Sequence, residues 1–287
     1  MKVIAGTSSQ KLASSLSTEL KAPVANAEIK RFPDDECYVR ILDDMRGKVV
    51  VVVQNTYPDN NLAEHLILQD AARHSGAKSV ISVIPYFGYA RQDKLFRSGE
   101  AVSARLMARV VEGNADATIL IDIHNITTLE EYRKPVANAS AIPSLARFLA
   151  SKESIDAVLS PDKGSLARAG EAARLMNCKF DHLEKTRIDG ATVVVKPKEL
   201  DVAGKSVAIV DDIIATGGTI AAATAQLRQC GAKRIVTACT HGLFTGGGLQ
   251  RLQGVCDAVY SSDTLENEST AYSPAHEVAR AIKSISI

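Results

Sequence analysis

The chain has almost no excess of charge of either sign: 34 lysines and arginines against 33 aspartates and glutamates leave a formal net charge of +1. Nucleic acids and anionic membranes both attract a strong basic surplus, so neither is expected as a partner; a small local cluster of positive charge stays open. No run approaches the ~18 apolar residues of a membrane span. The apolar residues of the opening stretch, MKVIAGTSSQKLASSL, come too sparsely for a signal peptide. Five cysteines (Cys37, Cys178, Cys230, Cys239, Cys256) are odd in number and hold no C-x-x-C pair. That pattern suits reduced thiols and excludes a zinc ribbon or a disulfide framework. A soluble, cytoplasmic protein is expected.

What is present is an ordinary globular composition, 46% hydrophobic and 23% charged over 287 residues. This length is long for one domain and comfortable for two. A chain of this size buries roughly 75% of its unfolded surface and needs no covalent staple. Apolar, β-branched runs recur: KVVVVVQ (48–54), SVISVIPY (79–86), ATILIDIH (117–124), DAVLSP (156–161), SVAIVDD (206–212) and RIVTACTH (234–241). Such runs, without polar alternation, read as strands covered on both faces. Helix-like segments lie between them, among them 61–74 and 219–230, the latter stopped by Gly231. The expectation is an α/β fold with largely parallel sheets and ligands beyond the carboxyl ends of the strands.

The chain repeats itself. GKVVVVVQN (47–55), a helix and GAKSVISVIPYFG (76–88) are echoed by GKSVAIVDD (204–212), a helix and GAKRIVTACTHGLF (231–244). Two similar domains are expected, residues 1–138 and 139–287, with a boundary near PVANASAIP (135–143). The last helix, 273–286, is expected on the N-terminal domain. The copies differ where it matters. The second ends its strand with Asp211-Asp212 and ATGGT; the first has Gln54-Asn55 and TYPDN.

The stretch VAIVDDIIATGGT (207–219) carries the chemistry. Glycines let the backbone approach an anion, and a helix beginning at about Thr219 adds unpaired N–H groups and a partial positive charge. The N–H groups of Ala215, Thr216, Gly217, Gly218 and Thr219, with the hydroxyls of Thr216 and Thr219, suit a phosphate. Asp211 and Asp212 would repel that phosphate; they suit sugar hydroxyls or a divalent metal. An ordinary strand-to-helix turn explains the glycines alone. Glycines with the acidic pair describe a sugar phosphate site.

This VDD…TGGT pattern resembles the phosphoribosyl-binding loop of type I phosphoribosyltransferases. RFPDDECYVRI (31–41), PYFGYARQDK (85–94), IDIHN (121–125), SPDKGSLARA (160–169), KTRIDG (185–190), VDDIIATGGT (210–219) and THGLF (240–244) then follow in the order seen in ribose-phosphate diphosphokinases. The resemblance spans nearly the whole chain. It implies two type I phosphoribosyltransferase-like domains, the first degenerate. The implied reaction moves diphosphate from ATP to the anomeric hydroxyl of ribose 5-phosphate, with Mg²⁺, and releases AMP.

Under that resemblance each motif has a task. Lys185 and Arg187, two apart in extended chain and so on one side, supply catalytic charge to the migrating phosphoryl group. Residues 179–190 close over the substrates. Asp122 and His124 end an apolar strand, where alternation puts them on one side; with Asp162 they are the candidate metal residues. His124 also contacts the nucleotide. Because magnesium prefers oxygen, the imidazole acts through the phosphates. Arg91, Gln92 and Asp93 belong to the ATP site, and Lys94 is equally a surface charge. Phe32 offers a stacking face to adenine, and Asp34 and Glu36 accept from its amino group. In the family this loop comes from a neighbouring subunit, which implies a homo-oligomer, at least a dimer, with ATP between domains.

Three departures stand out. Asp34-Asp35-Glu36 replaces the usual Asp-Gly-Glu, and SPDKGS carries Lys163 and Ser165 where small residues are commoner. After IDIHN, the stretch ITTLEEYRKPVANASAI lacks the segment that forms the regulatory phosphate and ADP site of bacterial and animal members. The chain is thus similar to archaeal-type members. A base phosphoribosyltransferase and a silent regulatory subunit are the rival readings.

Overall fold

The computed structural model describes residues 1–187 and 193–287, and of residues 185–187 and 193–196 the backbone alone. The chain divides into two compact units. Unit 1 holds Met1–Ser140, Asp263–Glu266 and Ser273–Ile287; unit 2 holds Ala141–Ser262 and Asn267–Tyr272.

Unit 1 runs β1 (Lys2–Ala5), α1 (Gln10–Leu20), β2 (Ala27–Arg31), β3 (Cys37–Ile41), β4 (Val49–Val53), α2 (Asp59–His74), β5 (Ser79–Ile84), α3 (Ser103–Glu112), β6 (Ala117–Ile121) and β7 (Val136–Ala139). β1-β4-β5-β6-β7 form one wholly parallel sheet. Its second strand, β4, is a valine run in which Val50 to Val53 are fully buried. Burying each such side chain stabilises by about 1.5–3 kcal/mol over exposure. β2 and β3 form a separate antiparallel hairpin.

Unit 2 runs α4 (Ile142–Lys152), β8 (Ala157–Ser160), α5 (Leu166–Met176), β9 (Lys179–Arg187), β10 (Val193–Pro197), β11 (Ser206–Ile214), α6 (Gly218–Gln229), β12 (Arg234–Gly242), α7 (Gly248–Gln253), β13 (Ala258–Ser262) and β14 (Thr270–Tyr272). The sheet order is β10-β9-β8-β11-β12-β13-β14. All its pairings are parallel except that of β9 with β10. The chain then returns to unit 1 as α8 (Ala275–Ser284).

The internal repeat is structural as well as textual. Gly47 N–H donates to the Gly76 carbonyl at 3.1 Å, and Gly204 N–H to the Gly231 carbonyl at 2.8 Å. In each copy the second lysine also closes the turn: Lys78 N–H reaches the Lys48 carbonyl and Lys233 N–H the Lys205 carbonyl, both at 2.8 Å. All four glycines have positive φ, from 69° to 87°, a region that penalises a side chain. One turn design therefore launches β4 and β5 in unit 1 and β11 and β12 in unit 2.

Three sequence expectations shift. The strand expected over 117–124 ends at Ile121, because Asp122 takes φ 38° and leaves the extended region. Alternation therefore stops before His124: Asp122 is buried and His124 exposed. The segment expected to close from Lys179 begins as sheet. Lys179 to His182 pair in parallel with β8, and only from Leu183 does the β9–β10 hairpin form. The helix expected at about Thr219 starts at Gly218.

Candidate active site

In unit 2 the two aspartates lie within the carboxyl-terminal half of β11, which does not end at Asp212 as expected but stays paired with β12 to Ile214. Each meets a side chain from the start of α5. Asp211 Oδ1 accepts from Ser165 Oγ at 2.8 Å and from the Asp212 N–H at 2.9 Å. Arg168 brings a guanidinium nitrogen to 3.3 Å from Asp212 Oδ2. Ser165 and Arg168 are three apart at a helix start, so they share a face. Asp212 is buried. Burial, with the charge of Asp212 behind it, pushes the Asp211 carboxyl well above the usual carboxylate range, against the hydrogen bond from Ser165. The start of α5 is itself set by Asp162, whose Oδ1 accepts from the N–H groups of Gly164 (2.8 Å) and Ser165 (3.2 Å). Asp162 and Lys163 are exposed.

The loop Ala215–Thr219 follows. Gly217 is the N-cap of α6, with φ 71° and ψ 0°. A Cβ there would sit 2.9 Å from Leu252 Cγ, so both conformation and space demand glycine. Gly218 is different: a Cβ would meet nothing nearer than Thr216 Oγ1 at 3.8 Å. The protein itself leaves room there, and the missing side chain keeps the backbone open to an approaching ligand. Thr216, Gly218 and Thr219 are exposed. The first-turn N–H groups of a helix have no intrahelical acceptor, so this exposed end is suited to an anion.

In unit 1 a cavity of about 530 Å³ is lined by Tyr57, Asp59, Tyr86, Gly88, Tyr89, Arg91 and Gln92. The Tyr57 and Tyr86 rings meet edge to face at 5.9 Å, and Tyr89 donates its hydroxyl to Asp59 at 2.7 Å. Asp93 accepts from Asn125 Nδ2 at 2.6 Å, which ties the YARQDK segment to the residue beside His124. The β2–β3 hairpin presents an exposed Phe32, packed edge-on against Tyr38 at 5.6 Å, together with exposed Asp34 and Glu36. The absent glycine of this turn has a stand-in. Asp35 takes φ 69°, a region aspartate enters more readily than most residues. Its carbonyl accepts from Arg31 at 3.1 Å and its carboxylate from Asn60 at 3.2 Å.

The structure thus sets Asp211 and Asp212 against Ser165 and Arg168 in unit 2, a few residues before the loop 215–219, and in unit 1 lines a cavity with Arg91 and Gln92 while Asp93 bonds to Asn125. Lys185 and Arg187 are in β9, register-paired with Val195 and Val193; their side chains lie outside the described residues. Sequence reading noted Ser165 as a departure without giving it a role and passed over Arg168, although both fall inside SPDKGSLARA. Serine in place of a small residue was the one available signal. Among the described residues no helix is long and apolar enough to cross a membrane.

Two units built on largely parallel sheets, one of them carrying two aspartates near the end of a strand that leads into a glycine loop, define a chain of two phosphoribosyltransferase-type domains. Comparison with known proteins agrees. Residues 1–114 match the N-terminal domain of ribose phosphate pyrophosphokinase, and residues 130–265 match the phosphoribosyl transferase domain. The chain is 43% identical over 291 residues to a ribose-phosphate pyrophosphokinase of Methanopyrus kandleri, with both chains covered in full. It is 38% identical to that of Methanothermobacter thermautotrophicus, covering 98% of this chain and 99% of the relative. The crystal structure of phosphoribosylpyrophosphate synthetase from Mycobacterium smegmatis superposes with a TM-score of 0.83 at 31% identity, over 98% of this chain and 97% of the other. This chain belongs to the ribose-phosphate pyrophosphokinase family.

Proposed function

We propose that the chain transfers diphosphate from ATP to the anomeric hydroxyl of ribose 5-phosphate, giving 5-phosphoribosyl 1-diphosphate and AMP for nucleotide biosynthesis. The observation that carries this reading is the pairing of Asp211 and Asp212 with the open glycine loop 215–219 in a chain whose other unit matches the family's own N-terminal domain. The ester phosphate of ribose 5-phosphate sits on the N–H groups of Ala215 to Thr219, and its ring hydroxyls donate to Asp211 and Asp212. The anomeric oxygen bonds to the β-phosphorus, the bond from that phosphorus to the α,β-bridging oxygen breaks, and AMP leaves. The hydroxyl proton passes to solvent.

The residues of unit 1 take the nucleotide. Arg91 pairs with phosphate or stacks on the purine, Gln92 and Asp93 hold the same segment, and Phe32 with Asp34 and Glu36 reads adenine in a neighbouring copy of an oligomer, at least a dimer. Lys185 and Arg187 place positive charge where it develops on the migrating group. Among the described residues no three His, Cys, Asp or Glu side chains gather into a metal cage. That suits Mg²⁺, which takes one or two carboxylates and draws its remaining ligands from phosphates and water. In unit 1 Asp122 and, through the phosphates, His124 would hold the nucleotide's ion; in unit 2 Asp162 would serve that domain's own metal. When bound, the ion neutralises phosphate charge and orients the diphosphate. We place the protein in the cytoplasm, in keeping with its five free thiols.

The test is to mix ATP, Mg²⁺ and ribose 5-phosphate with the protein. AMP and phosphoribosyl diphosphate should accumulate one for one. A base phosphoribosyltransferase would instead consume phosphoribosyl diphosphate in the presence of a free base, and a silent homologue would bind without turnover.

A further inference from the structure

The segment after β12 wraps the outer side of the 215–219 loop. Phe244 N–H donates to the Ile214 carbonyl at 3.1 Å. The backbone of Gly248 lies so close that a Cβ there would stand 2.7 Å from the Ala215 oxygen and 3.1 Å from the Thr216 carbonyl carbon. Leu252 fills the space beside Gly217. Arg251, on α7, then donates one guanidinium N–H to the Thr216 carbonyl and a second, at 3.3 Å, to the Gly246 carbonyl.

A trans peptide carries its C=O and N–H on opposite sides. With the Thr216 carbonyl turned toward Arg251, the Gly217 N–H faces away from it. The left-handed φ of Gly217 then leads directly into α6, where the N–H groups of Gly218 and Thr219 continue the row. A guanidinium bonded to a carbonyl forms a charge-assisted hydrogen bond, roughly twice as strong as a neutral one. Its second bond, to Gly246, keeps it from swinging away. The loop's anion-binding face is thus set from behind by one cation bridging two glycine-rich turns.

We infer that Arg251 is a positioning residue that holds the loop 215–219 in its anion-accepting form, a reading that rests on the proposed binding of ribose 5-phosphate there. Its loss should weaken the pentose ester selectively and leave the nucleotide alone.

The full-length Arg251→Ala, Arg251→Gln and Arg251→Lys variants test this by steady-state kinetics and by calorimetric titration of ribose 5-phosphate without nucleotide. Alanine and glutamine should raise KM for ribose 5-phosphate at least about tenfold, with KM for ATP held within about twofold. Lysine, which keeps the cation but reaches a single carbonyl, should recover part of the loss. The calorimetric Kd should move with KM. Unchanged KM for ribose 5-phosphate in the alanine variant would overturn the assignment. So would both KM values rising together, which marks damage common to both substrate sites, or kcat falling alone, which marks fewer folded molecules. The wild-type titration separates the two claims. If it shows no ribose 5-phosphate binding, the proposed function falls as well; if wild type and alanine variant bind equally, only the role of Arg251 falls.

Discussion

Arg168 and Asp212, 3.3 Å apart and drawn from the start of α5 and the end of β11, form an ion pair in which the carboxylate is almost wholly enclosed. The pair fixes one of the two aspartates that precede the loop, and Ser165 fixes the other. Truncating Arg168 removes a cation from a buried carboxylate, which costs more than the pair itself contributes. The Arg168→Ala variant should lose about 1–3 kcal/mol of stability in urea denaturation. In a background already carrying Asp212→Asn the same truncation should cost clearly less. Equal costs in the two backgrounds would show that the pair is not energetically coupled.

The two loop glycines should separate stability from binding. Gly217→Ala meets both an unfavourable φ and Leu252, and should destabilise by about 1–3 kcal/mol. Gly218→Ala meets open space; its midpoint of thermal unfolding should match wild type within about 2 °C. Its KM for ribose 5-phosphate should nevertheless rise at least about tenfold, because the new methyl intrudes where the ester would lie. A Gly218→Ala enzyme with unaltered KM would mean that no ligand approaches that backbone.

Lys185→Ala should lower kcat by on the order of a thousandfold, the scale of a lost cation in phosphoryl transfer. Ribose 5-phosphate affinity, measured by calorimetry, should stay within about threefold of wild type. A loss confined to affinity would remove the transition-state role.

Two buried groups in unit 1 should give opposing pH dependences. Burial pushes the Asp263 carboxyl up to about 6, with Glu266 adding repulsion and Ser273 and Lys11 pulling the other way; its Oδ1 has no hydrogen-bond partner among the described residues. Between the ordinary value and 6 the folded chain holds a proton that the unfolded chain has released. The contribution of Asp263 is therefore full below about 4 and lost as pH rises through 6. His65 is pushed down to about 4 by complete burial; its contribution is present above about 6.5 and lost as pH falls through 4. Asp263→Asn removes the first slope and leaves the second. The stability of that variant relative to wild type should grow by about 2–3 kcal/mol between pH 4 and 7, read from denaturation midpoints at several pH values. A difference constant across that range would contradict it.

Much of the fold was legible because its signals are local. The valine run of β4 and the glycine–lysine turns before each strand state their structure within a few residues, and the repeat of those turns announces the second domain. The acidic pair and glycine loop were legible for the same reason, lying side by side in one stretch. What escaped depends on contacts distant in the chain. Ser165 reaches Asp211 across 46 residues and Arg251 reaches Thr216 across 35, and no periodicity encodes either. The misplaced alternation at Asp122 and His124 has a backbone cause: a single positive φ ends the strand where composition still reads as strand. Asp35 makes the opposite point, since a turn that lost its glycine kept the glycine's conformation.

The most direct test is to titrate ribose 5-phosphate alone into isotopically labelled protein while following backbone amide resonances. The N–H signals of Gly217, Gly218 and Thr219 should shift at saturation, with those of Arg91 and Gln92 in the other unit unmoved. Saturable binding that leaves residues 215 to 219 undisturbed would contradict the account at its centre.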